Sequence, residues 1–215
     1  MDSKIIDIMI QAVGQTVYMV FFSTLFASVL GFILGIIVTV TSPTGLRPNI
    51  FIYKSLDVII NVLRSFPFII LIVFIIPLTR AIVGTPIGET AAIVPLTIAA
   101  APFVARIIES ALKEVDPGVI EAAKSFGASN LQIIFKVMLK EAVPAIISGL
   151  TLTIINIIGY SAMAGSVGAG GLGKVAISYG YQRYQTDVMI VTVIILIIMV
   201  QGLQSLGNYL YKKLS

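Results

Sequence analysis

Residues able to do chemistry are scarce in this 215-residue chain, and the gaps are selective. It has no histidine and no cysteine, so the side chains that most often serve as general base, metal ligand or thiolate nucleophile near neutral pH are missing. Two glycine spacings remain to be weighed. Gly168, Gly170 and Gly173 spell G-x-G-x-x-G, and Gly168 to Lys174 spells G-x-x-x-x-G-K, the opening of a phosphate-binding loop. Both need a preceding strand and a following helix in a soluble sheet. An apolar run precedes them here, and Val175 stands where Ser or Thr would hold Mg²⁺. The expectation is a chain without catalytic residues, metal site or bound cofactor of its own.

Two other constellations are better placed. Thr153, Asn156, Tyr160 and Met163 follow one another at helical spacing, so they share one face of an apolar segment. Polar groups at membrane depth are costly unless they face protein or water, so this face either lines a transport path or bonds to neighbouring helices. It carries no charge, which suits a net-neutral zwitterion of modest size. The second constellation is Asp116 to Pro144. Asp116-Pro117 is a strong helix start, because the carboxylate accepts free backbone N–H groups and proline's fixed φ suits the first helical position. Val119, Ala122, Ala123 and Phe126 form one apolar stripe, with Glu121, Lys124 and Ser125 off it, and Gly127 ends the helix. Ser129 and Gln132 make an S-x-x-Q capping box that opens a second helix. A short amphipathic helix, a glycine hinge and a second helix make a shape suited to pressing against another protein.

The elements that must position these residues are membrane spans. With 58% hydrophobic and 11% charged residues and a mean hydropathy of +1.05, the chain is an all-α integral membrane protein. Apolar runs predict about five spans, near 13–40, 55–79, 87–107, 145–163 and 188–206, in one transmembrane domain with region 116–144 outside the bilayer. Ala27, Gly31 and Gly35 make a smooth seam on the first span, either within the subunit or between subunits. Arg64, ahead of Phe66-Pro67, either snorkels or serves function directly. The net charge of +4 comes from basic residues scattered at span ends, which points to membrane lipid and away from nucleic acid. The N-terminus lacks the basic start and small-residue cleavage site of a signal peptide.

Glu121-Ala122-Ala123, three residues, then Gly127 resembles the "EAA" coupling motif of ABC importer permeases. Val137 and Leu139 fit its continuation, while Lys140 stands where that family has Pro. Arg64-Ser65-Phe66-Pro67 is similar to another sequence common in those permeases. Tyr160 to Gly165 and Val167 to Gly173, with the compact length, resemble the methionine importer branch. The resemblance implies the type I permease fold and ATP-driven import of D- and L-methionine. It implies a homodimer, two cytoplasmic ATPase subunits that bind ATP and Mg²⁺, and an extracytoplasmic substrate-binding lipoprotein at a bacterial inner membrane. It also implies ATPase coupling through Val119, Glu121, Ala122, Ala123, Phe126 and Gly127. A permease for another small amino acid or related solute shares most of these motifs. A channel-forming membrane protein would keep the spans without the ATPase.

Five spans put the termini on opposite sides. Nine basic residues, including Arg106, Lys113, Lys124, Lys136 and Lys140, fall on the side of region 116–144, against Lys4, Arg80, Lys174 and Arg183 on the other. The positive-inside rule then puts the N-terminus outside and the C-terminus in the cytoplasm. A reporter active only in the cytoplasm should work when fused after Ser215 and fail before Met1; the reverse would overturn this orientation.

Overall fold

Small residues at every fourth position set how the longest helix packs. The computed structural model describes residues 3–214, so the terminal residues used for the leader reading and the reporter fusions lie outside it. Helix α1 runs Ser3–Thr41, starting ten residues before the expected span near 13, because the amphipathic stretch ahead of Val13 joins the same helix. Its seam faces α5, Glu89–Lys113. A Cβ on Gly31 would stand 2.5 Å from Val104 Cβ and 2.7 Å from the Ala101 carbonyl oxygen. One on Gly35 would stand 2.6 Å from Ile108 Cβ and 2.8 Å from the Ala105 carbonyl oxygen. The seam is therefore internal to the subunit.

Helix α5 is the axis of the bundle. Two-thirds (67%) of its apolar window is buried, against 28% for α1 and 11% for the last helix. Leu96, Ala100 and Ala101 pack with Met19 and Ala27 of α1 and with Ile157 and Ala164 further along the chain. Pro95 and Pro102 lie inside α5 without ending it.

The crossing expected over 55–79 is not one helix. Helix α2, Ile50–Ser65, and α3, Phe68–Phe74, together are apolar enough to cross but meet at 104°. The cause is local. Proline disfavours helical backbone in the residue before it, and Phe66 is extended (φ −72°, ψ 124°) ahead of Pro67. Helix α4, Ile76–Val83, follows after Ile75 and ends on Gly84 in the left-handed conformation. Among the described residues four helices are long and apolar enough to span, and the bent pair, counted as one span, brings the total to five.

Beyond α5 comes α6, Pro117–Ser125, and then one 37-residue helix, α7, Asn130–Ser166. The second helix of region 116–144 and the span expected over 145–163 are thus continuous, with a π-helical stretch at Ile133–Met138 and Pro144 inside. The glycine-rich segment after α7, which reads as a long irregular loop, is mostly helical: α8, Gly171–Val175, a π-helical turn, Ala176–Tyr181, then α9, Thr186–Leu214. Glycine permits this because α8 lies directly on α7. A Cβ on Gly173 would sit 2.1 Å from the Ala162 carbonyl oxygen, and one on Gly165 2.4 Å from Lys174 N.

Overpacking of the α1 seam should therefore be costly. Gly31→Val should lose roughly 2 kcal/mol or more of stability, since the carbonyl of Ala101 cannot move aside as a side chain can. Gly14→Ala, with nothing within 4 Å of the added atom, should be neutral or slightly stabilising. Thermal unfolding of the purified protein in detergent checks both.

Candidate functional site

The cap residues build α6 as the sequence predicts. Asp116 Oδ1 accepts the Gly118 N–H at 2.6 Å, and Pro117 occupies the first turn. At the other end Gly127 is left-handed (φ 78°). Its N–H bonds the Lys124 carbonyl at 2.9 Å while the Ala128 N–H reaches the Ala123 carbonyl at 3.1 Å, the paired bonds of a Schellman motif. The capping box beyond it is complete: the Ser129 N–H donates to Gln132 Oε1 at 2.8 Å and the Gln132 N–H to Ser129 Oγ at 3.3 Å.

The apolar stripe of α6 divides on folding. Ala123 turns inward with Ile120 against a core of Leu112, Val115, Ile133 and Met138. Val119, Ala122 and Phe126 face away from the subunit, and Phe126 is 91% exposed. Glu121 and Lys124 rim a cavity of about 310 Å³ between α6 and the end of α1. Lys140, at the position where proline is usual, continues α7 and is exposed.

The second constellation is mostly assembled in one place. Thr153, Asn156 and Tyr160 of α7 line a cleft of about 180 Å³ with Phe103 of α5 and with Arg64 and Phe66 from the end of α2. Met163 stands outside this cleft, half-exposed, one turn further along α7. Thr153 is buried with its hydroxyl donating back to the Gly149 carbonyl at 2.9 Å, so it offers a solute little beyond its methyl group. Asn156 is exposed. The Tyr160 ring stacks on Phe68 of α3 at 4.7 Å and 13°.

Arg64 changes the electrostatics inferred from the α7 face alone. That face is uncharged, but the break at Phe66-Pro67 brings a guanidinium from α2 to the same cleft. A one-helix reading cannot find this. The Arg64-Ser65-Phe66-Pro67 sequence marks the break, while the partners Phe68 and Phe103 carry no signal of their own.

The glycine spacings serve packing. The Gly171 N–H donates to Gln15 Oε1 at 2.8 Å and the Leu172 N–H to Thr16 Oγ1 at 2.9 Å. The amides that a phosphate would need are occupied by α1, and Gly171, Leu172 and Gly173 are buried.

The pattern of the family described as binding-protein-dependent transport system inner membrane component matches residues 27–215. The chain belongs to this family. It is 52% identical over 207 residues to the probable D-methionine transport system permease protein MetI of Vibrio cholerae serotype O1, covering 96% of this chain and 92% of that one. The protein so described from Pasteurella multocida is 47% identical over 199 residues, 93% of this chain and 92% of the relative. A chain of the MetNI methionine ABC transporter, solved in inward-facing conformations, superposes over 100% of both chains with a TM-score of 0.98 at 43% identity. An amino acid ABC transporter crystallised with histidines shares the fold, with a TM-score of 0.80 over 98% of this chain and 95% of that one at 22% identity.

An inner membrane component of a transport system needs a wetted route through its helices, and a cleft holding Arg64 and Asn156 has the polarity for one. Cysteine chemistry can map it, since the chain has no native cysteine. In membranes holding the full chain, Asn156→Cys should react with a small water-soluble maleimide. Ile157→Cys, at a fully buried position one residue on, should not. Equal protection of both would make this face of α7 a packing seam.

Proposed function

We propose that the chain is the permease subunit of an ATP-driven importer of methionine, accepting both the D and the L form. The observation that carries this is similarity over the full length: 43% identity and a TM-score of 0.98 to a chain of the MetNI methionine ABC transporter. Two copies of the chain enclose the path, because one subunit has too few helices to surround a solute. Two cytoplasmic ATPase subunits bind and hydrolyse ATP with Mg²⁺, and an extracytoplasmic lipoprotein delivers the amino acid.

In this reading α6 is the docking element of the ATPase. Its stripe of Val119, Ala122 and Phe126 is free on the subunit surface, and Glu121 sits at its edge. The cleft under Arg64 is the part of the path nearest α2. A methionine zwitterion presents a carboxylate to the guanidinium and an apolar thioether to Phe66, Phe68 and Phe103, and it stays weakly held, as passage requires. Met163 lies one turn along α7 as the next contact of the path. The α6 end of the bundle faces the cytoplasm and the N-terminus lies outside, following the lysine and arginine asymmetry.

Vesicles carrying the chain, an ATPase subunit and a binding protein should take up D- and L-methionine when ATP is supplied on the α6 side. Glu121→Lys should weaken ATPase binding roughly tenfold or more, the equivalent of about 1.4 kcal/mol. Gly127→Leu should act likewise, since a left-handed backbone costs a branched side chain about 1–2 kcal/mol and re-aims α6. Methionine uptake that proceeds without ATP, or normal assembly and coupled uptake in both variants, would sink the assignment.

A further inference from the structure

An ion-paired cluster lies between the two constellations. Helix α5 offers Arg106, Glu109 and Lys113 on one face, and α2 offers Tyr53, Asp57 and Asn61 on one face. The Arg106 guanidinium donates to Asp57 Oδ1, to Asn61 Oδ1 at 2.9 Å and to Glu109 Oε2 at 2.5 Å. Lys113 Nζ donates to Glu109 Oε1 at 2.6 Å and stands 5.8 Å from the centre of the Tyr53 ring. Asn61 Nδ2 closes the set on Asp57 Oδ2 at 3.2 Å. Both oxygens of each carboxylate are bonded, and the Glu109 side chain is only 6% exposed. The cluster is part-buried around Glu109, and with its carboxylates satisfied this fully it favours one arrangement.

Its two ends touch the two candidate sites. Lys113 closes α5 three residues before the Asp116 cap, and it lines the cavity beneath α6 with Ile120, Glu121 and Lys124. Asn61 lies one turn before Arg64, and beyond the break Phe68 of α3 stacks on Tyr160. The apolar contact holding α2 is small: Ile60 is its one fully buried residue, set against Val38 and Ala105 with Tyr53 and Leu56 beside it. The polar cluster therefore supplies much of what fixes α2 to α5.

We propose that Asp57, Arg106, Glu109 and Lys113 form the rigid link that carries displacement of α6 to the bent pair α2–α3 and so to the cleft, making them positioning residues for transport. This rests on reading α6 as the ATPase-docking element and the cleft as part of the path. A staple that merely holds the membrane edge of the bundle would affect assembly and leave transport per ATP unchanged.

The test uses the reconstituted complex of chain, ATPase and binding protein, with ATP hydrolysis and methionine uptake read from the same vesicles. Asp57→Asn keeps size and one acceptor for Arg106 but removes the charge and the acceptor that Asn61 uses. It should leave hydrolysis within about twofold while uptake per ATP falls roughly fivefold or more, the equivalent of about 1 kcal/mol. Asp57→Glu, which keeps a carboxylate opposite Arg106, should retain at least half of the coupling that Asp57→Asn loses. Asn61→Ala, which removes an exposed partner of Arg106, is the milder variant should Asp57→Asn fail to insert; it should lower the ratio about twofold. An unchanged uptake-to-hydrolysis ratio in Asp57→Asn, or in Asn61→Ala where Asp57→Asn does not assemble, overturns the link. Absence of ATP-driven uptake in the unmodified complex instead overturns the importer reading, and the link with it.

Discussion

Inside hydrocarbon no hydrophobic effect presses one apolar helix against another, so association depends on how closely backbones approach and on polar groups finding partners within the protein. That constraint explains where this chain places its glycines. Gly31 and Gly35 bring α1 onto the Val104 and Ile108 side chains and the carbonyls beneath them, and Gly165 and Gly173 bring α8 onto the last turns of α7. The two contacts meet through α1, since Gln15 and Thr16 bond the first amides of α8. A helical axis, α5, and a buried glycine hairpin are thereby tied to one long outer helix. Dispersion and satisfied amides provide the hold.

Against this tightly packed half, α2 and α3 are loosely held, and the difference bears on function. A path that must open and close needs some wall that moves relative to the rest, and the regions that move are drawn from the less stable parts of a fold. The bent pair meets that condition. Its apolar surface is largely exposed on the single subunit, its junction is an extended residue before a proline, and it carries Arg64, Phe66 and Phe68 to the cleft. Beside the Ile60 and Phe68 contacts, what attaches it to α5 is electrostatic, Arg106 bonding Asp57 and Asn61. Such contacts are short-ranged and directional, so they transmit a displacement without a broad apolar interface.

The parts legible in the sequence were those set by local rules. Helix caps depend on a few neighbouring residues, so Asp116, Gly127 and the Ser129–Gln132 box appear as predicted, as does the small-residue seam. Non-local pairings were not legible. Asp57 and Asn61 share a helical spacing, as do Arg106, Glu109 and Lys113, but neither spacing says that Arg106 grips Asp57 and Asn61. Hydropathy also misjudged continuity in both directions. It joined α2 and α3 across a proline that turns the chain by 104°, and it read the glycine segment as irregular although close backbone packing folds it into α8.

Helix α6 resolves a conflict between stability and an open apolar face. A helix of nine residues is marginal alone, and most surface helices gain stability by burying an apolar face. Helix α6 buries no residue fully, and burying Val119, Ala122 and Phe126 in its own subunit would remove the surface that a partner needs. The ends do the work instead. Asp116 and Pro117 fix the first turn, the Gly127 Schellman pair fixes the last, and half-burial of Ile120 and Ala123 sets the rotation about the helix axis. Each cap is worth about 1 kcal/mol, so caps at both ends make up part of the burial forgone along the open face of Val119, Ala122 and Phe126. The glycine of the motif then has a definite physical role. It lets the chain close a preformed helix and leave at the angle at which α7 enters the bundle.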